Sequence, residues 1–325
     1  MPKADPETGN PTPGDQKQAP SMTAIATIWN PDGNVSNQIL TFFNDSDAQL
    51  GFELVDAQGP RKVSTTTATD GTKGVIRNPS QLAVIHYLQL VRVYGINDST
   101  SGIVLISPGF QPASLATGAK SGSLAACCNE VDQLAWLYYI NASNSIIEYD
   151  LANSQSNPLS LSNISPNSYL GAAFDPKSGR RYLVCQGSNN TLYRCEGSLQ
   201  DPITTSAVAK TPLAVVANPT RTQLHIYYRA NTSDPNDQHV RRISWSPNAD
   251  PPYSDPKSLA DFPNMDQFTM LSAVAASDKV HLFYVYQVDD NTRALTHVQD
   301  NWASLSAKPP SDEGGGAPHN PGRVH

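Results

Sequence analysis

The chain has 325 residues, only 16 % of them charged, and a formal net charge of −7. An acidic chain without a Lys/Arg cluster lacks the basic surface that nucleic acids and anionic membranes require, which excludes both as partners. Ser, Thr, Asn, Gly and Pro are abundant, as in proteins built of many short strands joined by polar turns. The composition therefore predicts an all-β protein whose ligand is neither nucleic acid nor lipid.

Both ends of the chain are polar. Residues 1–21 contain no apolar run of the kind that a secretory leader needs, so we expect a disordered arm and a cytoplasmic protein. Residues 308–325, which include the run DEGGGAPHNPG, predict a disordered tail for the same reason. The folded domain is expected to span residues 22–307.

One pattern recurs between these ends: a small apolar strand, an aromatic strand, a polar turn and a third strand. In chain order the copies span residues 23–55, 81–107, 123–150, 169–195, 212–245 and 271–298. The second strands are centred on Phe43, Tyr94, Tyr139, Cys185, Tyr228 and Tyr284. Their spacing of roughly 43 to 56 residues is that of propeller blades.

The residues of each first strand are small and apolar, which suits the crowded channel end of a blade. Helical periodicity of useful length is absent. The repeat therefore predicts a six-bladed β-propeller with disordered tails, or five blades if the first copy supplies only a closing strand.

The chain offers no recognised catalytic or metal-binding motif. Its four cysteines, Cys127, Cys128, Cys185 and Cys195, lie in apolar strand-like runs without zinc-ligand spacing, so we expect buried free thiols. We find no G-x-S-x-G, H-E-x-x-H, P-loop or G-x-G-x-x-G sequence. The sequence therefore predicts no metal and no cofactor.

Two segments carry a family resemblance: VRVYG at 91–95 and LYYINASNSIIEY at 137–149. With the repeat frame around them, they resemble the fungal fucose-specific lectins, which are six-bladed propellers. In those lectins each sugar lies between two blades, held by an arginine of the second strand, a glutamate of the third strand and a stacking aromatic ring. The resemblance thus implies an arginine position and a glutamate position in every blade.

Most of these positions hold other residues here. The arginine position is occupied in chain order by Leu40, Arg92, Trp136, Tyr182, His225 and His281. The glutamate position is occupied approximately by Phe52 or Glu53, Val104, Glu148, Arg194, Arg242 and a residue near His297. Only Arg92 and Glu148 keep the lectin residue, and they belong to different blades. The sequence therefore predicts one asymmetric small-molecule pocket instead of several equal sugar sites.

A degenerate lectin-like propeller without a leader also resembles the hetero-Diels–Alderases of tropolone-sesquiterpenoid pathways. That resemblance implies a cofactor-independent enzyme of fungal secondary metabolism, which joins a polyketide tropolone quinone methide to a humulene-type terpene by orientation and hydrogen bonding. The implied catalytic residues, which would bind the diene carbonyl, are His225, His281, Arg242 and Arg194. The implied substrate-binding residues are Trp136, Tyr182, Arg92 and Glu148.

Two alternatives remain open from the sequence. One is a fucose-type carbohydrate-binding protein with one or two residual sites near Arg92 or Glu148. The other is an interaction scaffold, in which the same aromatic, histidine and arginine residues only pack between blades.

Overall fold

The computed structural model describes residues 24–32, 38–44, 48–57, 66–67, 73–109, 111, 113–205, 207–232, 234, 237–267, 269–276, 278–288 and 293–305. The predicted arm (1–21) and tail (308–325) lie outside these residues.

Six antiparallel sheets follow one another along the described chain, and each is made of consecutive strands. Blade one contains β1 (Ile25–Trp29), β2 (Gln38–Asn44), β3 (Leu50–Asp56) and β4 (Thr66–Thr67). Blade two contains β5 (Ala83–Tyr87), β6 (Leu90–Ile96) and β7 (Ile103–Ser107). Blade three contains β8 (Ala119–Asn129), β9 (Leu134–Asn141), β10 (Ile146–Asp150) and β11 (Gln155–Pro158).

The second half of the chain repeats the arrangement. Blade four contains β12 (Gly171–Asp175), β13 (Arg180–Gln186), β14 (Leu192–Glu196) and β15 (Leu199–Thr204). Blade five contains β16 (Leu213–Ala217), β17 (Leu224–Arg229), β18 (Val240–Trp245) and β19 (Lys257–Ser258). Blade six contains β20 (Leu271–Ala275), β21 (Lys279–Gln287) and β22 (Arg293–Asn301).

The first strands of the six blades lie side by side around one axis, and β20 contacts β1 to close the ring. The channel between them is narrow, about 130 Å³, and small residues line it. Gly171 shows why: a Cβ there would lie 2.6 Å from Cγ2 of Val215 in the next blade. The six-bladed all-β propeller is thus confirmed, and the first copy is a complete blade instead of a single closing strand.

Asparagine side chains close several turns between second and third strands. Oδ1 of Asn141 accepts hydrogen bonds from the N–H groups of Ser143 and Ser145, each 3.0 Å long. Oδ1 of Asn97 likewise accepts the N–H of Ser99 at 2.9 Å. These local bonds replace ladder hydrogen bonds, so each strand ends where the sequence places its Asn-rich turn.

Each blade packs one face against the next blade, and the six interfaces form the core. We number each interface by its two blades, so that cleft 3–4 lies between blades three and four. Cleft 6–1 is the seam, where the first and last blades meet. Phe283 of blade six packs there with Phe43 of blade one, and the hydroxyls of Thr27 and Ser272 lie 2.8 Å apart. Among the described residues, no strand is shared between these two sheets.

Candidate functional sites between the blades

Strand register places the predicted arginine positions at one structural level in all six blades. The channel residue of each first strand pairs with Phe42, Tyr94, Tyr138, Val184, Tyr227 or Phe283. Two residues before these lie Leu40, Arg92, Trp136, Tyr182, His225 and His281. Since side chains alternate along a strand, all six point into the cleft between their own blade and the next.

The glutamate position is defined by the third-strand residues that pair with Phe42, Tyr94, Tyr138, Val184, Tyr227 and Phe283. They are Phe52, Leu105, Glu148, Arg194, Arg242 and His297. In blade two the expected Val104 is therefore off by one residue, because the register between β6 and β7 shifts at Val93/Tyr94. His297 is the residue of blade six that the sequence located only approximately.

Cleft 3–4 brings an arginine, a glutamate and a tryptophan together. Nη1 of Arg181 donates a hydrogen bond to Oε1 of Glu148 over 3.1 Å. The hydroxyl of Tyr138 donates to the other oxygen, Oε2, at 2.8 Å. The guanidinium carbon of Arg181 lies 4.3 Å from the ring centroid of Trp136, and Phe174 stacks near that ring at 6.3 Å and 22°. A cation, a carboxylate and aromatic rings therefore meet at one cleft.

Arg181 is the residue that the sequence reasoning missed. It precedes Tyr182, so the strand alternation points it to the opposite face of blade four, back towards blade three. At the predicted positions Glu148 has no arginine partner in its own blade, and the neighbouring blade supplies Arg181 instead. The doubled arginine, Arg180 followed by Arg181, was the available signal, because one of the two must face the preceding blade.

Cleft 4–5 contains a cation between two aromatic rings. The guanidinium of Arg194 lies 4.1 Å from the ring centroid of Trp245 and 5.3 Å from that of Tyr182. Its Nε donates to the hydroxyl of Tyr253 at 3.0 Å, and Nη2 forms an ion pair with Asp201. Arg194 is buried, and these contacts engage the side chain that was expected to bind the substrate carbonyl.

Cleft 5–6 contains a buried polar chain that begins at His225, which is 0 % exposed. The N–H of Ala303 donates to its Nε2 at 3.1 Å, so the ring proton lies on Nδ1, 2.9 Å from the hydroxyl of Tyr227. Tyr227 donates in turn to Asp300 at 2.9 Å, and Arg242 pairs with the same carboxylate. Burial, with the nearby Arg242 and Arg221 cations, lowers the pKa of His225 to about 2, so the ring is neutral. All its polar contacts are internal.

The seam, cleft 6–1, contains an open cavity of about 420 Å³. Trp29 and His281 form two of its walls, with ring centroids 6.0 Å apart, and Lys279 and Gln299 lie at its polar side. Nζ of Lys279 donates to Oε1 of Gln299 at 3.0 Å, and Gln299 Nε2 donates across the seam to the carbonyl oxygen of Ala57 at 2.7 Å. Of the eight predicted site residues, His281 is the one that lines this cavity.

The two remaining clefts are simpler. In cleft 2–3 the guanidinium of Arg92 lies 5.2 Å from the ring centroid of Tyr87, and its charge lies close to the buried hydroxyl of Tyr94. Cleft 1–2 is apolar, with Phe42 and Phe52 rings 5.1 Å apart. The six clefts thus share one backbone frame and differ in what they contain.

The described residues include no group of three or more His, Cys, Asp or Glu side chains placed to hold a metal ion. Within the same ranges, no helix long and apolar enough to cross a bilayer is present. The four cysteines are unbridged, and the Sγ atoms of Cys185 and Cys195 lie 3.8 Å apart in the core.

The described residues form a six-bladed β-propeller, and solved lectins share this fold. The lectin of Aleuria aurantia, a six-bladed β-propeller with a described fucose recognition mode, superposes with a TM-score of 0.59 and 15 % identity, covering 90 % of this chain and 99 % of that one. AofleA from Arthrobotrys oligospora gives a TM-score of 0.58 at 11 % identity, covering 90 % and 92 %. The lectin BP39L from Burkholderia pseudomallei gives 0.59 at 12 %, covering 88 % and 86 %. At these identities the likeness shows the fold.

In sequence, the chain is 27 % identical over 291 residues to a protein named wall-associated proteinase from Coccidioides posadasii, covering 80 % of this chain and 91 % of that protein. A protein of the same name from Coccidioides immitis is 29 % identical over 201 residues, covering 55 % and 64 %. No protein-family model matches the chain.

Proposed function

We propose that this propeller binds a fucose-type carbohydrate at a single site, cleft 3–4. The observation that carries the proposal is the hydrogen-bonded Arg181–Glu148 pair, with the arginine lying over Trp136. A pyranose offers vicinal hydroxyls and an apolar face, so it requires donors, a carboxylate acceptor and a ring within a few ångströms of one another.

Exposure of the pair supports the proposal. The side chain of Arg181 is 37 % exposed and that of Glu148 is 14 % exposed, so both reach the mouth of the cleft. Within the described ranges Arg181 makes one hydrogen bond, to Glu148, which leaves its other N–H groups for sugar hydroxyls. Tyr138 fixes the far carboxylate oxygen and so holds the acceptor in place. Because Arg181 covers the face of Trp136, the apolar edge of the sugar would rest on the half-buried ring of Phe174.

A single site has a consequence for affinity. The other five clefts contain different side chains, so the chain cannot gain avidity from repeated equal sites as a multivalent lectin does. Binding to a densely glycosylated surface should then be no tighter per molecule than binding to the free sugar.

Calorimetric titration with methyl α-L-fucoside tests the proposal. We expect one site per chain, lost in Arg181→Ala and in Glu148→Gln and kept in Arg180→Ala. Arg180 is a matched control, because it is the adjacent arginine but pairs with Glu196 on the exposed edge of blade four. No heat with the native protein across a panel of fucosylated and other glycans, or equal binding by Arg180→Ala and Arg181→Ala, would remove this function.

A second candidate function is the hetero-Diels–Alder addition of a tropolone quinone methide to a humulene-type alkene, and the seam cavity favours it. Its volume of about 420 Å³ is in the range of small-molecule sites, and it combines the ring of Trp29 with the imidazole of His281. The addition forms one C–O and one C–C bond and releases nothing, so it needs only orientation and a hydrogen bond to the carbonyl as charge develops.

Incubation of the purified protein with a quinone-methide precursor and humulenol tests this second function. We expect a higher yield and a single stereoisomer relative to a protein-free reaction, with turnover about 100-fold lower in His281→Ala. Arg181→Ala should leave the reaction unchanged, because it lies in another cleft. A product mixture identical to that of the protein-free reaction would exclude the enzyme.

A further inference from the structure

Two histidines meet edge to edge at the seam cavity. Nδ1 of His281 lies 2.8 Å from Nε2 of His297 on the neighbouring strand. Their ring planes differ by 18° and their centroids are 5.1 Å apart. With the nitrogens so close and the centroids so far apart, the two rings are nearly coplanar and share one hydrogen bond.

The ring of His297 has a fixed orientation. Phe283 stacks on it with centroids 4.7 Å apart and planes 9° from parallel, and Phe283 itself is fully buried in the seam. The plane of His297 therefore sets the direction of the shared hydrogen bond, and through it the plane of the His281 ring.

The other nitrogen of His281, Nε2, is the ring nitrogen left for a ligand in the cavity, because Nδ1 is engaged by His297. The residue is only 3 % exposed and lines the cavity, and no hydrogen bond to this nitrogen is present within the described part of the chain. Burial and the adjacent Lys279 cation lower the pKa of His281, so the ring is neutral at pH 7 and carries one proton. The hydrogen bond made at Nδ1 decides where that proton lies.

The tautomers follow from the donor order. If His297 donates from Nε2, then Nδ1 of His281 is the acceptor and its own proton lies on Nε2, facing the cavity. Both rings then carry the proton on Nε2, the more stable position in a neutral histidine side chain, whereas the reverse donor order would place both protons on Nδ1.

Charge around the cavity indicates a neutral ligand. Lys279 and Asp278 both line it and their charges oppose each other, while the ammonium group of Lys279 is already bound to Gln299. The remaining walls are the ring of Trp29, small apolar residues such as Ala275 and Ala276, and Pro219 and Thr220 of blade five. A flat conjugated molecule fits such walls better than an anion or a polyol.

We infer that His297 is a positioning residue that makes His281 present an Nε2–H group to the carbonyl oxygen of a neutral, planar, conjugated ligand lying against Trp29. The inference rests on the cavity invoked for the second candidate function, and it names the chemistry of the ligand without requiring the cycloaddition.

The first test is the tautomer in the unliganded native protein. Two-bond ¹H–¹⁵N correlation spectra of protein labelled in its histidines distinguish the two forms, with His281 assigned by the signal lost in His281→Gln. We expect the pattern of a ring protonated at Nε2. A ring protonated at Nδ1 would overturn the inference, whatever the variants do.

The second test is binding of tropone, a neutral cyclic ketone, against cycloheptatriene, which has the same ring size without the oxygen. We expect tropone to bind about five- to tenfold more tightly, and His281→Phe to remove that preference. His297→Gln should keep the preference, because its amide can donate to Nδ1, whereas His297→Phe should lose it. His239→Gln is the matched control, since that ring contacts the carbonyl oxygen of Phe262 in another cleft.

The outcomes separate the inference from the function it rests on. Tropone preference that depends on His281, together with no cycloaddition, supports the inference and removes the second function. Equal affinity for the two probes, or a preference unchanged in folded His281→Phe, overturns the inference even if turnover is observed.

Discussion

Nη1 of Arg242 in blade five lies 2.8 and 2.7 Å from the two carboxylate oxygens of Asp300 in blade six. The same carboxylate accepts a hydrogen bond from the hydroxyl of Tyr227. Arg242 also donates a hydrogen bond to the carbonyl oxygen of Asn301 at 3.0 Å. This ion pair is buried at both ends, so its charges depend on each other for compensation. It connects blades five and six by a buried polar contact that the apolar core does not provide.

Removal of one partner should therefore be costly. We expect Asp300→Ala to lower the free energy of unfolding by about 3 to 5 kcal/mol, because the Arg242 cation would stay buried and unpaired. Urea denaturation followed by tryptophan fluorescence measures the change. Arg180→Ala, which breaks an exposed pair with Glu196, should cost at most about 1 kcal/mol. Equal costs for the two variants would contradict this account.

Acid should destabilise the protein through His225. Its pKa is about 2 in the folded chain and about 6.5 when unfolded, so below about pH 6 the unfolded state binds one more proton. The contribution of neutral His225 to the free energy of unfolding is complete above about pH 6.5. It is lost as the pH falls, by about 1.4 kcal/mol per pH unit for this group. Unfolding curves at several pH values should show a slope between pH 6 and 4 that is smaller by that amount in His225→Gln. Parallel pH dependences for the two proteins would show that His225 does not titrate in this way.

The channel should not tolerate a larger residue at Gly171. Gly171→Ala would bring a methyl group within 2.6 Å of Val215 Cγ2, and we expect a loss of about 1 to 3 kcal/mol in stability. The double variant Gly171→Ala with Val215→Ala should recover part of the loss, since the clashing methyl group is removed. If the double variant loses as much free energy of unfolding as the two single variants together, the strain does not come from the contact with Val215.

The cysteines should be inert in the native protein. Burial raises the pKa of Cys128 to about 12 and raises that of Cys127, and the hydrogen bond with Cys195 together with burial raises the pKa of Cys185, so these three thiols form almost no thiolate at pH 8. Cys195 is 1 % exposed and so is shielded from reagents. We expect no reaction with 5,5′-dithiobis(2-nitrobenzoate) before denaturation and four thiols per chain after it. One rapidly reacting thiol in the folded protein would show that Cys128 is more accessible than its environment indicates.

The fold could be predicted because its causes are local. Small apolar first strands and Asn-rich turns such as Asn141–Ser145 recur in every copy, and the register confirms that the arginine position lies at one level in all six blades. The glutamate position of blade two was placed one residue off, at Val104, because the register shifts there and no residue type in the sequence indicates the shift.

The partners across each cleft could not be predicted in the same way. Arg181 faces Glu148 only because consecutive blades are packed with opposite faces in contact, which an alignment of one blade on another does not encode. Likewise, the burial of His225 depends on Ala303 and the Trp302 ring, 4.5 Å away, which lie about 80 residues further along the chain. The predicted catalytic roles of His225, Arg242 and Arg194 remain predictions, and each of these side chains has partners within the protein.

The seam joins the two ends of the ring without a strand in common, and the hydrogen bonds Thr27–Ser272 and Gln299–Ala57 that cross it among the described residues each use a side chain. A molecule bound between Trp29 and His281 would contact both the first and the sixth blade. Its binding free energy would therefore add to the free energy needed to separate these two blades. Occupancy of the seam would therefore raise the unfolding temperature with the logarithm of the ligand concentration once that exceeds the dissociation constant. It would also add contacts between the first and last blades, whereas a sugar at cleft 3–4 would lie between two blades that the chain already links.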